Sequence, residues 1–272
     1  MISFTKMQGA GNDYIYIDNR EDIVKNPAEL SRKISDRHFG VGSDGLVLIC
    51  KSDKADIRMR MFNPDGSESE MCGNASRCVA RFAWERFFDK SRDEFDLETG
   101  AGIKHIVIHR NGEHFLSATI DMGAPILDPA KIPVSAETNR IALDGRKFTC
   151  VSMGNPHAVT FVEAVDSAPV LSKGPIYETD KVFPRKANIE FVEVLSPDHA
   201  KMRVWERGTG ETLACGTGAC ATLVACVLNG KTDRKIDLEL LGGTLRIEWR
   251  EDNSHVMMTG PAEFVFEGTF GE

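Results

Sequence analysis

The sequence predicts an α+β protein with two like halves, in each of which several strands surround one buried helix. The length of 272 residues allows either one large domain or two of about 130 residues. A repeat at constant offset favours two domains. The segment 217–228 is almost wholly apolar, and 75–88 carries apolar residues at helical spacing, so each half is expected to contain one buried helix.

The repeat is centred on two cysteines in similar contexts. Met71-Cys72-Gly73-Asn74-Ala75 resembles Ala214-Cys215-Gly216-Thr217-Gly218, and Cys215 follows Cys72 by 143 residues. The same offset carries Glu68 onto Glu211, Gly11-Asn12 onto Gly154-Asn155, 46–49 onto 189–192 and 59–62 onto 202–205, and with about one residue of slip it carries 99–106 onto 242–249. The second copy is expected to start near residue 120, and the last strand to return to the first domain. The predicted domains are therefore 1–119 plus 263–272, and 120–262.

Strands and helices follow the same order in both halves. Runs rich in branched residues, some of them alternating, predict strands. These runs are 14–18, 46–50, 57–62, 158–162, 189–194 and 202–205. A polar loop precedes each helix, so the repeated unit is strand, loop, Cys-Gly and buried helix.

Composition excludes several classes of function. There are 33 Lys and Arg against 41 Asp and Glu, a formal net charge of −8, and no basic cluster of the kind that nucleic-acid binding requires. The most apolar stretch, 220–228, is far shorter than the ~20 residues that a membrane span needs. No signal peptide is evident, so we expect a cytoplasmic protein without a membrane partner.

The seven cysteines are expected to be thiols, because an odd number cannot form a complete set of internal disulfides. Their spacings do not fit a zinc site, so no metal is predicted. Three of them fall within apolar helical faces and are interpreted as packing residues, and two have no assigned role. The packing residues are Cys78, Cys220 and Cys226, and the unassigned ones are Cys50 and Cys150.

Cys72 and Cys215 each fall in the predicted first turn of a helix, where free amides and the helix dipole stabilise negative charge. A thiol there has a lowered pKa. The adjacent glycines let the backbone approach an anion such as a substrate carboxylate. Two thiols on opposite faces of one α-carbon could invert it, one acting as base and the other as acid. The pattern thus indicates a two-base reaction, with one half of the chain supplying each face.

The sequence resembles the diaminopimelate epimerase family at several motifs between residues 9 and 218. These are Gly9-Ala10-Gly11-Asn12-Asp13, Phe62-Asn63-Pro64-Asp65-Gly66-Ser67, Met71-Cys72-Gly73-Asn74-Ala75-Ser76-Arg77-Cys78, Met153-Gly154-Asn155-Pro156-His157-Ala158, Asn188-Ile189-Glu190-Phe191, and Trp205-Glu206-Arg207-Gly208-Thr209-Gly210-Glu211-Thr212-Leu213-Ala214-Cys215-Gly216-Thr217-Gly218. The resemblance implies two pseudo-symmetric domains, each a mostly antiparallel, barrel-like sheet around a central helix. It also implies an active site in the cleft between them.

The resemblance further implies an isomerase that interconverts L,L- and meso-diaminopimelate, in the synthesis of lysine and of peptidoglycan precursors. No cofactor and a homodimer are implied. The catalytic pair corresponds to Cys72 and Cys215, while His157 and Glu206 match positions thought to influence thiol protonation. The implied substrate contacts are Asn12, Asn63, Gly73, Asn74, Asn155, Asn188, Glu206, Arg207, Gly216 and Thr217.

These residue types also suit the substrate chemically. Arg207 can bind a distal carboxylate through two parallel hydrogen bonds, and Asn63, Asn155 and Asn188 can add amide donors. Glu206 can accept from an ammonium group. A substrate without the distal group would leave these donors unpaired.

Two positions depart from the family pattern. Gly45 stands where some members carry glutamine, and Phe266 stands where some carry tyrosine at a subunit contact. Other functions also remain open. They are a proline racemase-like enzyme of the same fold, a cysteine hydrolase, a redox protein and an amino-acid-binding protein. The second helix-terminal thiol disfavours the hydrolase and the binding protein, and the absence of a C-x-x-C motif disfavours the redox protein.

Overall fold

A computed structural model describes residues 1–271 and divides into two compact units. The first unit contains Met1–Ile120 and Thr259–Glu272, and the second contains Asp121–Met258. The sequence predicts boundaries after residues 119 and 262, which lie one and four residues from these positions. No helix within residues 1–271 is both long and apolar enough to cross a membrane.

Eighteen strands and four α-helices make up the described chain. The strands are β1 Ile2–Gly9, β2 Asn12–Asp18, β3 Leu46–Cys50, β4 Ile57–Phe62, β5 Glu68–Ser69, β6 Glu94–Thr99, β7 Gly102–Asn111, β8 His114–Asp121, β9 Arg140–Leu143, β10 Arg146–Ser152, β11 Pro156–Phe161, β12 Asn188–Ser196, β13 His199–Glu206, β14 Gly210–Glu211, β15 Lys235–Leu240, β16 Gly243–Trp249, β17 Val256–Gly260 and β18 Glu263–Phe270. The helices are α1 Pro27–Ile34, α2 Gly73–Arg86, α3 Val170–Glu178 and α4 Gly216–Leu228.

The sheets of both units are mostly antiparallel, as predicted. In the first unit the strands pair in the order β18-β1-β2-β3-β4-β6-β7-β8, and only β2–β3 and β4–β6 are parallel. In the second unit the order is β9-β10-β11-β12-β13-β15-β16, and only β11–β12 and β13–β15 are parallel. The parallel pairs therefore fall at equivalent places in the two units. Because β18 pairs with β1, the last strand belongs to the first unit.

Strand register preserves the 143-residue offset. Ile15 pairs with Leu46, and the residues 143 positions later, Ala158 and Ile189, also pair. Beyond the central helix the offset becomes 141, because the hairpin partners Thr99 and Gly102 correspond to Leu240 and Gly243. The predicted slip of one residue is therefore wrong. The second unit is two residues shorter here, since both the helix and the loop after it lose one residue.

One helix in each unit is surrounded by the sheet. Helix α4 contacts β10, β11, β12, β13, β15 and β16, while α2 contacts β1, β2 and β7. Residues 218–226 of α4 are all buried, as its apolar sequence predicts. Each fully buried Leu or Val contributes about 1.5–3 kcal/mol of hydrophobic free energy, so the burial of α4 is a large part of what stabilises its unit.

Two further helices, which were not predicted, lie against interior strands of the sheets of their own units. Helix α1 contacts β3 and β4, and α3 contacts β12 and β13. Asn26 caps α1 by accepting from the Glu29 amide, and Pro27 occupies its first position. Cys150 is fully buried in the core that α3 covers, which gives this thiol a packing role.

Candidate active site

Cys72 and Cys215 occupy equivalent positions directly before the central helices. Each is the N-cap residue in extended backbone, with φ and ψ of −133° and 125° at Cys72 and of −119° and 108° at Cys215. The sequence predicted both in the first helical turn, and the structure places them one residue earlier. Cys72 is partly exposed, whereas Cys215 is buried. All seven cysteines are thiols in the structure.

Asn12 and Asn74 lie in the surroundings of Cys72 in the first unit. The Cys72 Sγ donates to Oδ1 of Asn12 at 3.3 Å, and Nδ2 of Asn12 donates to Asp44 at 2.8 Å, which fixes the orientation of the amide. Gly73 and Asn74 form the buried first turn of α2. Oδ1 of Asn74 has no hydrogen-bond partner within residues 1–271, so this buried acceptor is available to a ligand.

Asn63 follows β4 and is held in a tight turn. Its Nδ2 donates to the Ser67 hydroxyl at 2.9 Å, and its backbone N–H donates to the Ser67 carbonyl at 2.9 Å. The repeat offset relates Asn63 to Glu206, and the paired register of β4 with β5 matches that of β13 with β14. Asn63 thus has the same place in the first unit that Glu206 has in the second.

The Cys215 sulfur accepts from the start of its own helix. The Gly218 N–H donates to Sγ at 3.4 Å, and the Thr217 hydroxyl lies 3.6 Å from Sγ. Gly216 and Gly218 are buried in the first turn of α4. These short residues leave the backbone amides of the turn close to the thiol.

The pKa of the Cys215 thiol is raised well above its usual value. Burial is the largest cause, and the carboxyl groups of Glu206 and Glu190 add to it, while the hydrogen bonds from Thr217 and Gly218 act in the opposite direction. The sequence-based prediction of a lowered pKa is therefore wrong for Cys215. The helix terminus does stabilise a thiolate, but burial beside two acids outweighs it.

Glu206 is the acid at the end of β13. Its Oε1 accepts from the Thr212 hydroxyl. Burial raises the pKa of Glu206, whereas the Thr212 hydrogen bond and the charge of His157 lower it. Glu206 is thus a carboxyl group with a raised pKa that lies beside Cys215.

His157 is fully buried on β11 between two oxygen atoms. Its Nδ1 lies 2.6 Å from Oε1 of Glu190, and its Nε2 lies 3.0 Å from Oδ1 of Asn155. Glu190 is fully buried too, on the neighbouring strand β12. Glu190 was assigned no role from the sequence, although an acidic residue within the apolar run 189–192 was a signal that could have identified it.

Asn188 connects β11 to the turn that carries Arg207. Its Nδ2 donates to the Pro156 carbonyl at 2.9 Å, and its Oδ1 accepts from the Arg207 N–H at 2.9 Å. The Arg207 side chain is exposed, and its guanidinium donates to the Arg185 carbonyl at 3.2 Å. Asn188 therefore positions the backbone of Arg207, and the charged group of Arg207 is accessible to a ligand.

Gly45 has a backbone conformation that explains the absence of glutamine. Its φ is +152°, and an added Cβ would lie 2.3 Å from the Phe62 carbonyl oxygen and 2.9 Å from the Tyr14 ring. Real Cβ atoms do not approach other atoms so closely. A side chain therefore does not fit at position 45, directly before β3, unless the surrounding backbone moves.

Each unit brings part of the predicted site together. The first contains Cys72 with Asn12, Gly73 and Asn74, and Asn63 at the turn after β4. The second contains Cys215 with Gly216, Thr217, Glu206, His157 and Asn155, and the Asn188–Arg207 pair. Within residues 1–271, no three or more His, Cys, Asp or Glu side chains are grouped so that they could hold a metal ion.

The fold is that of a class of epimerases and related proteins. A phenazine biosynthesis protein of the PhzF family from Bacillus anthracis aligns with a TM-score of 0.73 at 20% sequence identity, covering 98% of each chain. A hydroxyproline epimerase from Agrobacterium vitis aligns with a TM-score of 0.69 at 16% identity, covering 98% of this chain and 90% of that one. These similarities confirm the predicted fold.

Sequence comparison identifies the family within that class. The diaminopimelate epimerase family matches residues 4–127 and 149–265. The chain is 55% identical to a diaminopimelate epimerase of Acetivibrio thermocellus over 272 residues, covering 97% of both chains. It is 53% identical to one of Methanococcus maripaludis over 276 residues, covering 98% of this chain and 99% of that one. The chain belongs to the diaminopimelate epimerase family.

Proposed function

We propose that the chain is a cofactor-independent isomerase that interconverts L,L- and meso-diaminopimelate through Cys72 and Cys215. The observation that carries the proposal is the duplication of a thiol at the N-cap of a buried central helix. A single thiol would serve a hydrolase, whereas inversion at carbon requires an acid and a base on opposite faces. The family membership of the chain supports the same substrate.

In the proposed reaction, one cysteine is a thiolate and the other a thiol. The thiolate removes the α-proton, so that the C–H bond breaks and an S–H bond forms. The other thiol donates its proton to the opposite face, forming the new C–H bond and leaving a thiolate. The two cysteines exchange roles in the reverse direction, and the proton count of the enzyme and substrate together is unchanged.

The helix N-termini stabilise the carbanion that forms between these steps. Charge that develops at the α-carbon is delocalised into the substrate carboxylate. The backbone amides of Gly73, Asn74, Gly216 and Thr217 stand at positive helix ends, where they can donate to that carboxylate. This requires that the two halves, 1–119 with 263–272 and 120–262, enclose the active site between them, which is part of the proposal.

Polar residues of both units are proposed to bind the rest of the substrate. Arg207 would bind the distal carboxylate, with Asn63, Asn155 and Asn188 supplying or positioning donors. Glu206 would accept from an ammonium group. Two observations support this assignment: Oδ1 of Asn74 has no hydrogen-bond partner among the described residues, and the guanidinium of Arg207 is accessible. Asn12, hydrogen-bonded to Cys72, would orient that thiol.

The proposal also includes the cellular setting. An epimerase of this kind belongs to the synthesis of lysine and of peptidoglycan precursors. We propose that it acts in the cytoplasm as a homodimer, on a small diamino-dicarboxylate and without a nucleic-acid or membrane partner. Sedimentation of the purified chain at micromolar concentration tests the dimer, and a mass of one 30.0 kDa chain would reject it.

Solvent isotope exchange tests the reaction directly. The chain is incubated with L,L-diaminopimelate in deuterium oxide without added cofactor, and the product is analysed by chiral chromatography and mass spectrometry. The expected result is meso-diaminopimelate with deuterium at the inverted α-carbon. If neither inversion nor deuterium is found, the epimerase proposal fails. Inversion of L-proline instead would favour the racemase alternative that shares this fold.

Cysteine variants test the roles of the two thiols. Cys72→Ser and Cys215→Ser should each lower the epimerisation rate by at least about 100-fold, as expected when general acid–base catalysis is lost. Cys50→Ser is the matched control, because Cys50 lies at the end of β3 and contacts the Asn19 amide rather than a site residue. Full activity in either of the first two variants would remove that cysteine from the mechanism.

A further inference from the structure

A second buried acid near Cys215 has no part in the proposed reaction. Glu190 lies on β12 and is fully buried, with Oε1 2.6 Å from Nδ1 of His157. Its other oxygen, Oε2, is buried without a hydrogen-bond partner in the part of the chain that the structure describes. Burial raises the pKa of Glu190, whereas the charge and the hydrogen bond of His157 lower it, so His157 is the neighbouring side chain that favours the carboxylate form.

The start of α4 packs directly against this carboxylate. A methyl group added to Gly218 would lie 2.8 Å from Oε1 of Glu190 and 3.2 Å from Sγ of Cys215. Because Oε1 of Glu190 and Sγ of Cys215 both lie this close to one position, they are at most about 6 Å apart. Charges at this separation in a buried site interact strongly. Glycine at position 218 is what allows the approach.

The first unit does not repeat this arrangement. At the 143-residue offset, which the register of β2, β3 and β4 preserves, Val47 corresponds to Glu190. Tyr14 corresponds to His157 and Asn63 to Glu206. Both carboxyl groups near Cys215 thus have uncharged counterparts in the unit that contains Cys72.

We propose that Glu190 is a positioning residue that makes the two thiols unequal. Its buried carboxylate, anchored by His157, holds Cys215 in the protonated state in the resting protein and leaves Cys72 as the thiol that ionises first. The assignment of acid and base to the two cysteines rests on the proposed function. The effect on Cys215 ionisation does not require turnover.

The charge balance around Cys215 gives the sign of the effect. The groups that act on it are Glu206 from β13, Glu190 from β12, His157 through Glu206 from β11, and Thr217 and Gly218 from α4. The two acids oppose thiolate formation, and the two hydrogen bonds from α4 favour it. Removing the charge of Glu190 should therefore allow Cys215 to ionise at lower pH.

Pulsed alkylation measures this ionisation at each cysteine separately. The wild-type chain and Glu190→Gln are exposed briefly to iodoacetamide at pH values from 6 to 11, and peptide mass spectrometry gives the alkylation rate of Cys72 and of Cys215 at each pH. The midpoint is the pH at which half of a thiol is ionised. In Glu190→Gln the midpoint for Cys215 should fall by about one pH unit, which corresponds to a tenfold increase in the thiolate fraction at any pH below the midpoints of both proteins. The midpoint for Cys72 should not move.

Two variants separate charge from structure. Glu193→Gln is the matched control, since Glu193 is on the same strand and accepts from the Val165 N–H at 2.9 Å, and it should leave both midpoints unchanged. Glu190→Asp keeps the carboxylate, but its side chain is one methylene shorter, which moves the charge away from Cys215. The Cys215 midpoint of this variant should therefore lie between those of the wild type and Glu190→Gln. If Glu190→Gln does not fold, a Glu190→Asp midpoint below that of the wild type supports the proposal.

Three results would overturn the proposal: an unchanged Cys215 midpoint in folded Glu190→Gln, an equal shift at Cys72, or, if Glu190→Gln does not fold, a Glu190→Asp midpoint that is not lower. Thermal unfolding of each variant establishes that it is folded. Because iodoacetamide reports on the thiol and not on turnover, a wild-type chain without epimerase activity would reject the proposed function alone.

Discussion

Replacement of Gly45 by alanine is expected to be among the most destabilising single-methyl additions in the first unit. The backbone on both sides of Gly45 is fixed, because its carbonyl accepts from the Ile15 N–H at 3.0 Å and the next residue pairs with Phe62. The new Cβ would lie 2.3 Å from the Phe62 carbonyl oxygen. Since this is backbone inside a paired strand, it cannot move aside cheaply.

The size of the effect follows from two contributions. A non-glycine residue at a φ of +152° costs about 1–3 kcal/mol. Overpacking against a fixed neighbour costs about 1–3 kcal/mol more. The expected loss for Gly45→Ala is thus about 2–6 kcal/mol, which lowers the unfolding midpoint by about 4–24 °C for a chain of this size.

A second glycine separates the two contributions. Gly102 also has positive φ, +94°, but an added Cβ there would meet nothing within 4 Å. Gly102→Ala should cost only the conformational part, about 1–2 kcal/mol. Thermal unfolding followed by far-ultraviolet circular dichroism compares the two variants. If Gly45→Ala unfolds at the same temperature as Gly102→Ala or higher, the packing argument is refuted.

Two more predictions concern the second unit. The side chains of Arg203 and Glu211 are only 16% and 17% exposed, so a double-mutant cycle should give a coupling free energy of about 1–2 kcal/mol for this pair. The equivalent pair in the first unit, Arg60 and Glu68, is 33% and 46% exposed and should give about 0.2–1 kcal/mol. Equal couplings would contradict the argument from burial. Asn188→Ala removes the acceptor for the Arg207 N–H and should raise KM for diaminopimelate about tenfold or more, and an unchanged KM in steady-state assays would show that Arg207 does not depend on it.

Much of the fold could be predicted because the duplication supplied the same signal twice. The predicted helices at 75–88 and 217–228 correspond to α2 and α4, and their apolar faces reflect burial that any sheet around them would provide. Each predicted strand overlaps an observed one. The short helices α1 and α3 were missed. Helix α3 contains Pro175, which breaks the usual helical pattern, and α1 has only eight residues in which to show one.

The site was less predictable where its chemistry depends on burial. Position along the chain identified both cysteines, since a Cys-Gly pair before a helix is a local pattern. The pKa of Cys215 depends instead on strands β12 and β13, which bring Glu190 and Glu206 beside it from 25 and 9 residues away. No local pattern indicates how deeply a thiol will be buried. The position of Cys215 at a helix terminus therefore predicted the wrong direction for its pKa shift.

The differences between the repeats indicate what duplication contributes to the proposed two-base mechanism. Residues that build the frame are retained, as in the two Arg–Glu pairs that join β4 to β5 and β13 to β14. Residues around the thiols diverge, with Val47 against Glu190 and Asn63 against Glu206. Inversion needs two like frames so that each presents a sulfur from a helix start, yet it also needs one proton fewer than two thiols hold. Two identical sites would share that proton equally, whereas in the proposed mechanism the unlike acids assign it to one cysteine before substrate arrives.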